Sequence, residues 1–584
     1  MSRRTPPMRE ALPMLGRIVR RFRPHLRSQR RLLLLGLLAL LAEVALRLLE
    51  PWPLALVIDA LAASAAGGRP PGIGMLLGAG AVLLGVVAAR AAASYAMTVM
   101  FALAGNRVLT QVRAELYDHL NVLSMRFHQS RRTGDLVTRL TGDVGRLQDA
   151  VVTAMLPLAG NLITLVGMVV VVLVMDWQLG LLALLVFPLF ALLGRRSTRR
   201  IVSVSRRQRR AEGDLASLAT ESLGSMAVVQ SYGLQERLRG RFAAGNSTAL
   251  RDGVQAKRLS AGLERSTDVL VGAASAIVLV AGAHRVLAGD LSIGELTVFL
   301  TYLKTAFRPL RDIAKYTGRI SKAAASGERI LEVLDQPAEI TDSSWARPAP
   351  RLHGHVRFDG VRFGYRPGLP VLRGIDLTVP AGQRLAVIGE SGAGKSSLAG
   401  LLVRLRDPDS GRVLLDGHDL RDLTLDSVRA QIAIVLQESP LFATSIAENI
   451  AYGAGREVGE AEIVAAARVA GADGFIRSLP EGYATVLSDR GVGLSGGQRQ
   501  RIAIARAAIR DAPIIVLDEA LAGLDPETEA EVVEALGRLT EGRTTLVITH
   551  DMETAADAER VIRLVDGRVV ADGSPARVLP GARA

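Results

Sequence analysis

Two long uncharged apolar runs, separated by one acidic residue, constrain the fold of this chain more than any other feature. Residues 150–175 and 177–194 contain no Asp, Glu, Lys or Arg, and a helix needs roughly 20 apolar residues to cross a bilayer. Asp176 and Trp177 suit a tight turn with the indole at the membrane interface. The sequence therefore predicts a membrane hairpin and excludes a wholly soluble protein.

Four further segments bring the predicted membrane spans to six. Residues 32–62, 71–104, 267–287 and 291–315 are apolar, although charged residues lie within them or near their ends. The last of these segments has the weakest hydropathy. Gly, Ala, Val and Leu dominate the spans, and aromatic residues make up only 4% of the chain.

Basic residues between the spans indicate the orientation. Residues 1–31 hold ten Arg, 105–149 hold seven and 195–265 hold fifteen Lys and Arg, whereas the alternate loops hold only Arg69 and Arg285. Cytoplasmic loops carry such an excess of basic residues. We therefore expect a multi-pass protein of the cytoplasmic (inner) membrane, with both termini in the cytoplasm.

The formal net charge of +14 is unevenly distributed. Residues 1–350 hold 44 Lys and Arg against 25 Asp and Glu, or +19, and residues 351–584 hold 27 against 32, or −5. A nucleic-acid-binding protein would gather this surplus on one basic surface, whereas here it flanks apolar spans. The pattern predicts a lipid bilayer and no nucleic acid as partner. The absence of cysteine excludes disulfides and thiolate metal sites.

Three ionisable residues interrupt the first span. Glu43, Arg47 and Glu50 are spaced i, i+4 and i+7 and so share one helix face. Ionisable groups at membrane depth pair with one another or face water. Two interpretations stay open: a polar lining of a transport cavity, or a structural Glu–Arg pair between packed helices.

The segments 105–149 and 195–265 are too long for simple loops. Both place apolar residues three and four apart, which is typical of helices. We expect membrane helices that continue into the cytoplasm, and the alternative is an amphipathic helix on anionic lipid. After a segment rich in Pro, Ser and charge at 335–354, short β runs alternate with helices. That alternation predicts an α/β domain with a largely parallel sheet.

The sequence GESGAGKS follows one of these β runs and precedes a helix. Glycines in such a loop let backbone N–H groups surround phosphates at a helix N-terminus. We expect Lys395 to reach the β- and γ-phosphates and the Ser396 hydroxyl to reach Mg²⁺. Lys395 is the only lysine of residues 351–584, which indicates a need for a compact charge in place of the planar arginine fork. The predicted nucleotide-binding residues of this loop are Gly389, Glu390, Ser391, Gly392, Ala393, Gly394, Lys395, Ser396 and Ser397.

A second motif, IIVLDE at 514–519, delivers two carboxylates to the end of a buried strand. Ligands bind at the carboxyl ends of the strands in such sheets. We expect Asp518 to hold Mg²⁺ through water and Glu519 to orient and deprotonate the attacking water.

A third motif, LSGGQ at 494–498, precedes a basic helix. A serine and two glycines at a helix start make a second anion cradle. A nucleotide held by the loop 389–396 has no need of another cradle in the same subunit. The residues Ser495, Gly496, Gly497 and Gln498 are therefore predicted to serve a nucleotide held by another copy.

Taken together, the three motifs resemble an ATP-binding cassette, and the chain from about residue 30 to about 578 resembles the half-transporters of the ABC exporters of the multidrug and lipid-flippase type. The resemblance implies a multidomain fold in which an all-α transmembrane domain of six helices precedes an α/β P-loop cassette. The predicted parts are a cytoplasmic segment at 1–31, the transmembrane domain at 32–325, a linker at 326–353 and the nucleotide-binding domain at 354–584.

Roles for further residues follow from the resemblance alone. It implies that Tyr365 stacks on adenine, that Gln437 contacts Mg²⁺ and the attacking water, and that His550 contacts the γ-phosphate. It also implies that Asp525 crosses an interface between two cassettes and that residues 489–491 contact coupling helices.

The resemblance places those coupling helices near 120–130 and 215–225. It places the last membrane helix, together with the segment that leads into the cassette, at 297–335. Two residues depart from the family pattern: Gly523 stands where alanine is common and Asp489 where glutamate is usual. Both departures leave an active ATPase expected.

The implied activity is ATP-hydrolysing export of a hydrophobic or amphipathic substrate by alternating access. ATP and Mg²⁺ are the implied cofactors, and the implied partner is a second half-transporter, as a homodimer in view of the intact motifs. The transported substrate stays open. The alternatives are an importer on the exporter scaffold and an ATP-gated channel or regulatory membrane protein.

Overall fold

The described residues of the computed structural model form two compact units. The first comprises Met1–His119 and Gly134–Asp335, and the second comprises Leu120–Thr133 and Gln336–Ala584. The backbone is described for residues 8–150, 154–366, 368–437, 439–488, 493–522 and 526–579.

The regular secondary structure described in the first unit is entirely helical. A π-helical turn spans Arg139–Asp143. In chain order, and including α6 of the second unit, the helices are α1 Met8–Arg21, α2 Arg23–Ser28, α3 Arg30–Leu49, α4 Trp52–Ala65, α5 Ile73–Val122, α6 Met125–Ser130, α7 Thr133–Thr138, α8 Val144–Ala150, α9 Leu156–Met175, α10 Trp177–Leu184, α11 Val186–Gly224, α12 Met226–Ser231, α13 Gln235–Leu287 and α14 Ile293–Leu334.

The described residues of the six predicted spans lie largely in helices. Among the described residues, four helical stretches are long and apolar enough to cross a membrane, and they are Arg30–Ala65, Ile73–Val122, Leu156–Met175 and Gln235–Leu287. The other two predicted spans lie in α10–α11 and in α14. The turn at Asp176 is capped as the hairpin requires, because its carboxylate accepts the N–H groups of Gln178 and Leu179 at 2.9 and 3.0 Å.

The core of the first unit is organised by α14. Phe299, Tyr302 and Phe307 are among the largest fully buried side chains. The Tyr302 hydroxyl donates to the carbonyl of Leu48 and accepts from Trp52 Nε1 at 3.1 Å. These contacts join α14 to the junction of α3 and α4.

The three ionisable residues of the first span have different surroundings. Glu50 forms an ion pair with Arg90 of α5, which is the Glu–Arg pairing between helices that one of the two interpretations describes. Glu43 and Arg47 are partly buried.

Near the C-terminal end of α14, Arg329 forms an ion pair with the buried Asp143. Asp143 is fully buried and accepts from Arg329 Nε at 2.7 Å and from the Ser326 hydroxyl at 2.9 Å. Burial alone would raise the pKa of Asp143, but the hydrogen bonds from Arg329 and Ser326 outweigh it and lower the pKa. The helix continues with buried Ile330, Leu331, Val333 and Leu334, so the predicted linker 326–353 begins inside α14.

The second unit contains two sheets. One is antiparallel, in the order β2-β1-β4-β5, and the other runs β10-β9-β3-β8-β7-β6, with β9 to β6 parallel and β10 antiparallel at the edge. The strands are β1 Val356–Phe363, β2 Leu372–Val379, β3 Arg384–Gly389, β4 Ser410–Leu415, β5 His418–Asp419, β6 Ile432–Val435, β7 Ile514–Asp518, β8 Thr544–Ile548, β9 Arg560–Val565 and β10 Arg568–Gly573.

Helices cover the larger sheet and carry the motif segments. They are α15 Lys395–Leu402, α16 Leu425–Arg429, α17 Ile446–Ala451, α18 Glu460–Val469, α19 Asp473–Ser478, α20 Gly496–Ala508, α21 Pro526–Thr540, α22 Met552–Ala556 and α23 Pro575–Val578. Apolar residues of β3, β7 and β8 are buried on both faces, as parallel strands between helices require. Because these strands are parallel neighbours, their carboxyl ends meet at one edge of the sheet. The fold class expected from the sequence is confirmed: a helical transmembrane region followed by an α/β cassette.

Candidate active site

The phosphate-binding loop connects β3 to α15. Lys395 begins α15, and its side chain is buried. The Lys395 ammonium donates to the carbonyls of Gly389 and Glu390 at 2.7 and 3.1 Å. These two bonds tie the start of α15 to the start of the loop, so that the backbone between them curves around the Lys395 ammonium.

Two glycines of this loop are required by the backbone. Gly394 has φ +104°, and a Cβ there would lie 2.6 Å from Leu372 Cδ2. At Gly389, a Cβ would lie 2.4 Å from the carbonyl oxygen of Leu564 in the adjacent strand β9. Only glycine accepts both the left-handed conformation and such close backbone packing.

An acidic pair stands at the end of β7, beside the loop. The Ser396 hydroxyl donates to Asp518 Oδ1 across a long 3.5 Å. Burial and the negative charge of Glu519 raise the pKa of Asp518. Ionisation of Asp518 beside Glu519 is therefore unfavourable, and a cation bound at this edge of the sheet would offset the repulsion between the two carboxylates.

Glu519 has an unusual backbone conformation. Its φ is +49°, and its N–H donates to the Ile548 carbonyl at 2.9 Å, which anchors it to β8. Positive φ in a residue other than glycine is uncommon and is concentrated at functional sites. His550 follows β8, is exposed, and places Nδ1 at 3.6 Å from Glu519 Oε1.

Gln437 is exposed and lies two residues beyond the end of β6. A neighbour that sequence reasoning missed holds the surrounding backbone. Gln500 of α20 is buried, and its Nε2 donates to the carbonyls of Leu436 and Ala520 at 3.4 and 2.9 Å. Gln500 thus joins the residue before Gln437 to the residue after Glu519. The only signal in the sequence is a glutamine on an otherwise apolar helix face.

The Ser-Gly-Gly turn begins α20 as predicted. Ser495 is the N-cap: its hydroxyl accepts the Gln498 N–H at 3.2 Å, and Gln498 Oε1 accepts the Ser495 N–H at 3.0 Å. Among the described residues these bonds stay within the turn, and none joins it to the loop 389–396. The turn remains exposed at Ser495 and Gly496, whereas Gly497 is buried. The structure therefore leaves these two exposed positions accessible to a ligand from outside this cassette.

Tyr365 lies two residues after β1, and 39% of its surface is exposed. Its hydroxyl is 2.8 Å from the Ser397 hydroxyl at the start of α15. Phe363 packs edge-on with ring centroids 5.1 Å apart, and the Arg406 guanidinium carbon lies 4.4 Å from the Tyr365 centroid. The tyrosine ring is thus held beside the phosphate-binding loop.

Several predicted residues lie outside the described part of the chain, namely Asp489, Arg490, Gly491, Gly523 and Asp525. Of the two predicted coupling segments, 120–130 contains the short helix α6, and 215–225 is followed at once by the short helix α12.

Comparison with known proteins agrees with this arrangement. Residues 33–310 match the family model of the ABC transporter transmembrane region, and residues 372–522 match that of the ABC transporter. The chain is 36% identical over 481 residues, 82% of its length and 80% of the relative, to an ATP-dependent lipid A-core flippase of Syntrophus aciditrophicus (strain SB). It is 32% identical over 470 residues, 80% of its length and 81% of the relative, to a putative multidrug export ATP-binding/permease protein of Bacillus subtilis (strain 168).

The fold is similar to a solved bacterial Atm1-family ABC exporter with ATP bound. The TM-score is 0.75 at 29% sequence identity, covering 94% of this chain and 95% of the other. The chain therefore belongs to the ABC transporter family, as an exporter-type half-transporter embedded in a membrane, in which a nucleotide-binding cassette hydrolyses ATP to drive transport.

Proposed function

We propose that two copies of this chain form a homodimeric pump that exports a lipid-like or amphipathic substrate across the cytoplasmic membrane. Relatives named as a lipid A-core flippase and a multidrug exporter support this substrate class. The apolar spans with few aromatic residues also favour a lipid-like substrate over flat aromatic molecules. The excess of arginine at 1–31, 105–149 and 195–265 supports cytoplasmic termini and cassettes.

One observation carries the catalytic part of the proposal. Lys395, Ser396, Asp518, Glu519 and His550 come from three separate segments and meet at one edge of the larger sheet. Binding of a triphosphate draws the Lys395 ammonium from the loop carbonyls to the phosphate oxygens, and Tyr365 stacks on the base. Ser495, Gly496, Gly497 and Gln498 of the second copy close over the phosphates.

The residues at this edge fit Mg²⁺, because Ser396 and Asp518 supply oxygen ligands and the carboxylate is already destabilised by burial and by Glu519. Gln437 supplies a further oxygen from the exposed turn after β6. When bound, the ion neutralises charge on the phosphates.

Glu519 is the base in this proposal. It orients a water molecule and accepts a proton from it as the water oxygen bonds to the γ-phosphorus and the bond to the β-phosphate oxygen breaks. His550 donates to the γ-phosphate oxygens. Its Nδ1 lies 3.6 Å from Glu519 Oε1, so both side chains lie beside the γ-phosphate in this proposal. Hydrolysis then separates the two cassettes, and the membrane helices return to the inward-facing state.

The substitution Glu519→Gln tests the assignment. It keeps the shape of the side chain and removes the base, so we expect phosphate release to fall by about 10²-fold or more while ATP binding persists. Glu541→Gln, on an exposed residue beyond α21, is the matched control and should hydrolyse at the wild-type rate. Wild-type turnover by Glu519→Gln in purified protein would refute the catalytic role.

Transport itself is tested separately. In inverted vesicles, ATP should drive uphill accumulation of a labelled lipid or amphiphile, and in nanodiscs the same compounds should stimulate ATPase activity. ATP-dependent flux in the opposite direction, or passive conductance without accumulation, would contradict export.

A further inference from the structure

One arginine touches both the aromatic ring of the nucleotide site and the segment Leu120–Thr133. Arg406 lies after α15, and its guanidinium carbon is 4.4 Å from the centroid of Tyr365. The same side chain is 5.8 Å from the Phe363 centroid, so it covers the aromatic pair. Arg406 is partly buried, and the motifs that define the family do not include it.

The guanidinium also makes a hydrogen bond outside the nucleotide site. Arg406 Nη2 donates to Gln129 Oε1 at 2.8 Å. Gln129 belongs to α6, which follows the long helix α5 directly in the chain and packs within the second unit. A second residue of α6, Arg126, also makes a polar contact within the second unit, with Glu339 at 3.9 Å.

The chemistry of arginine allows both contacts at once. Its planar face stacks on an aromatic ring while its fork of N–H groups donates in the plane. A lysine ammonium has no such plane and would satisfy only one of the two partners. The position of Tyr365 and the position of Gln129 are therefore linked through one rigid group.

We propose that Arg406 is a positioning residue that couples occupancy of the base site at Tyr365 to the placement of α6. The proposal rests on the proposed stacking of adenine on Tyr365. Arg406 covers one face of the Tyr365 ring, so adenine stacks on the other face. Stacking restricts the movement of the ring, and through Arg406 it restricts the position of Gln129. Because coupling between two sites is reciprocal, the Gln129 contact must strengthen ATP binding by the same factor with which ATP strengthens the contact.

The test measures ATP binding without hydrolysis. Equilibrium dialysis with labelled ATP in EDTA, on the full-length dimer in nanodiscs, gives Kd for wild type, Gln129→Ala, Arg406→Ala and the double variant. We expect Arg406→Ala to weaken binding about two- to fivefold, the size of an exposed cation–π contact. Gln129→Ala should weaken binding by a measurable part of this factor, and should add nothing in the Arg406→Ala background.

Two further variants separate positioning from simple structural support. Arg406→Lys keeps the charge but satisfies only one of the two partners, so it should not restore wild-type ATP affinity. Binding of inorganic triphosphate, which has no base, should be unchanged in all variants. Arg412→Ala and Gln235→Ala, at exposed positions away from the ring, are the matched controls and should bind ATP as wild type does.

The outcomes distinguish this inference from the function on which it rests. Unchanged ATP affinity in Tyr365→Ala would overturn the adenine assignment itself. If Tyr365→Ala weakens ATP binding, two other results would overturn the coupling and leave the ATPase assignment intact. One is wild-type ATP affinity in Gln129→Ala, and the other is additive effects of Gln129→Ala and Arg406→Ala on ATP affinity.

Discussion

The packing of Gly497 gives the sharpest quantitative prediction. Sequence reasoning assigns this glycine to an anion cradle, but the structure shows a second demand. A Cβ at position 497 would lie 1.8 Å from Cγ2 and 3.2 Å from Cβ of Thr528 in the neighbouring helix α21. A methyl group at position 497 therefore requires Thr528 to change its rotamer or the start of α20 to move away from α21.

The expected loss of stability follows from two opposing terms. Overpacking a well-packed contact costs about 1–3 kcal/mol, and replacing a helical glycine with alanine recovers about 1 kcal/mol. The net loss is about 1 kcal/mol, which lowers the melting temperature by about 2–4 °C for a domain of this size. Gly537→Ala, in α21 with no heavy atom within 4 Å of its new Cβ, should instead raise the melting temperature by a similar amount.

The assay is scanning calorimetry of the full-length protein in detergent, following the cassette transition in Gly497→Ala, Gly537→Ala and Gly497→Ala/Thr528→Ser. Serine removes the Thr528 methyl group that would collide and keeps the hydroxyl. The double variant should therefore recover most of the lost stability. Recovery of ATPase activity together with stability would show that packing against α21 is a requirement on Gly497, separate from its proposed role at the phosphates.

Two results would contradict a steric conflict between position 497 and Thr528. One is an increase in melting temperature in Gly497→Ala equal to that in Gly537→Ala, which would mean that α20 has room for a methyl group. The other is the absence of any recovery in the double variant, which would show that Thr528 is not the obstacle.

Two electrostatic predictions concern the carboxylates of Asp143 and Asp518. Asp143→Asn should destabilise the protein by about 1–3 kcal/mol in thermal unfolding, because the fully buried carboxylate that accepts from Arg329 and Ser326 becomes a neutral amide, whereas Glu541→Gln, at an exposed residue, should cost far less. Since the pKa of Asp143 is lowered, its contribution is present above pH 3.8 and should disappear as the pH falls below that value. Asp518→Asn should raise the melting temperature of the nucleotide-free protein at neutral pH, because the raised pKa means that ionisation beside Glu519 opposes folding, and the gain should vanish below pH 3.8. The same variant should lose the added stabilisation that Mg²⁺ and ATP give together; a Mg²⁺-dependent shift as large as in wild type would contradict the role of Asp518.

Much of this protein follows from short contiguous segments. The uncharged runs 150–175 and 177–194 predict a hairpin because a helix crossing a bilayer must be apolar along its whole length. The loop 389–396 predicts a phosphate site because its glycines and Lys395 act on a ligand that reaches all of them within a few residues of backbone. Asp518 and Glu519 are predicted for the same reason, since a buried strand places them together.

What the sequence left open involves residues that are distant along the chain. Arg406 and Gln129 are 277 positions apart, and neither belongs to a motif. The burial of Gly497 against Thr528 and the two bonds of Gln500 also appear only when α20 packs against its neighbours. Hydropathy and motif spacing report what one segment does by itself, whereas these contacts depend on which segments fold together. The membrane helices and the cassette can therefore be predicted from single segments, whereas the side chains that hold the ring, the turn and the two carboxylates in place are visible only in the folded structure, because they come from segments distant along the chain.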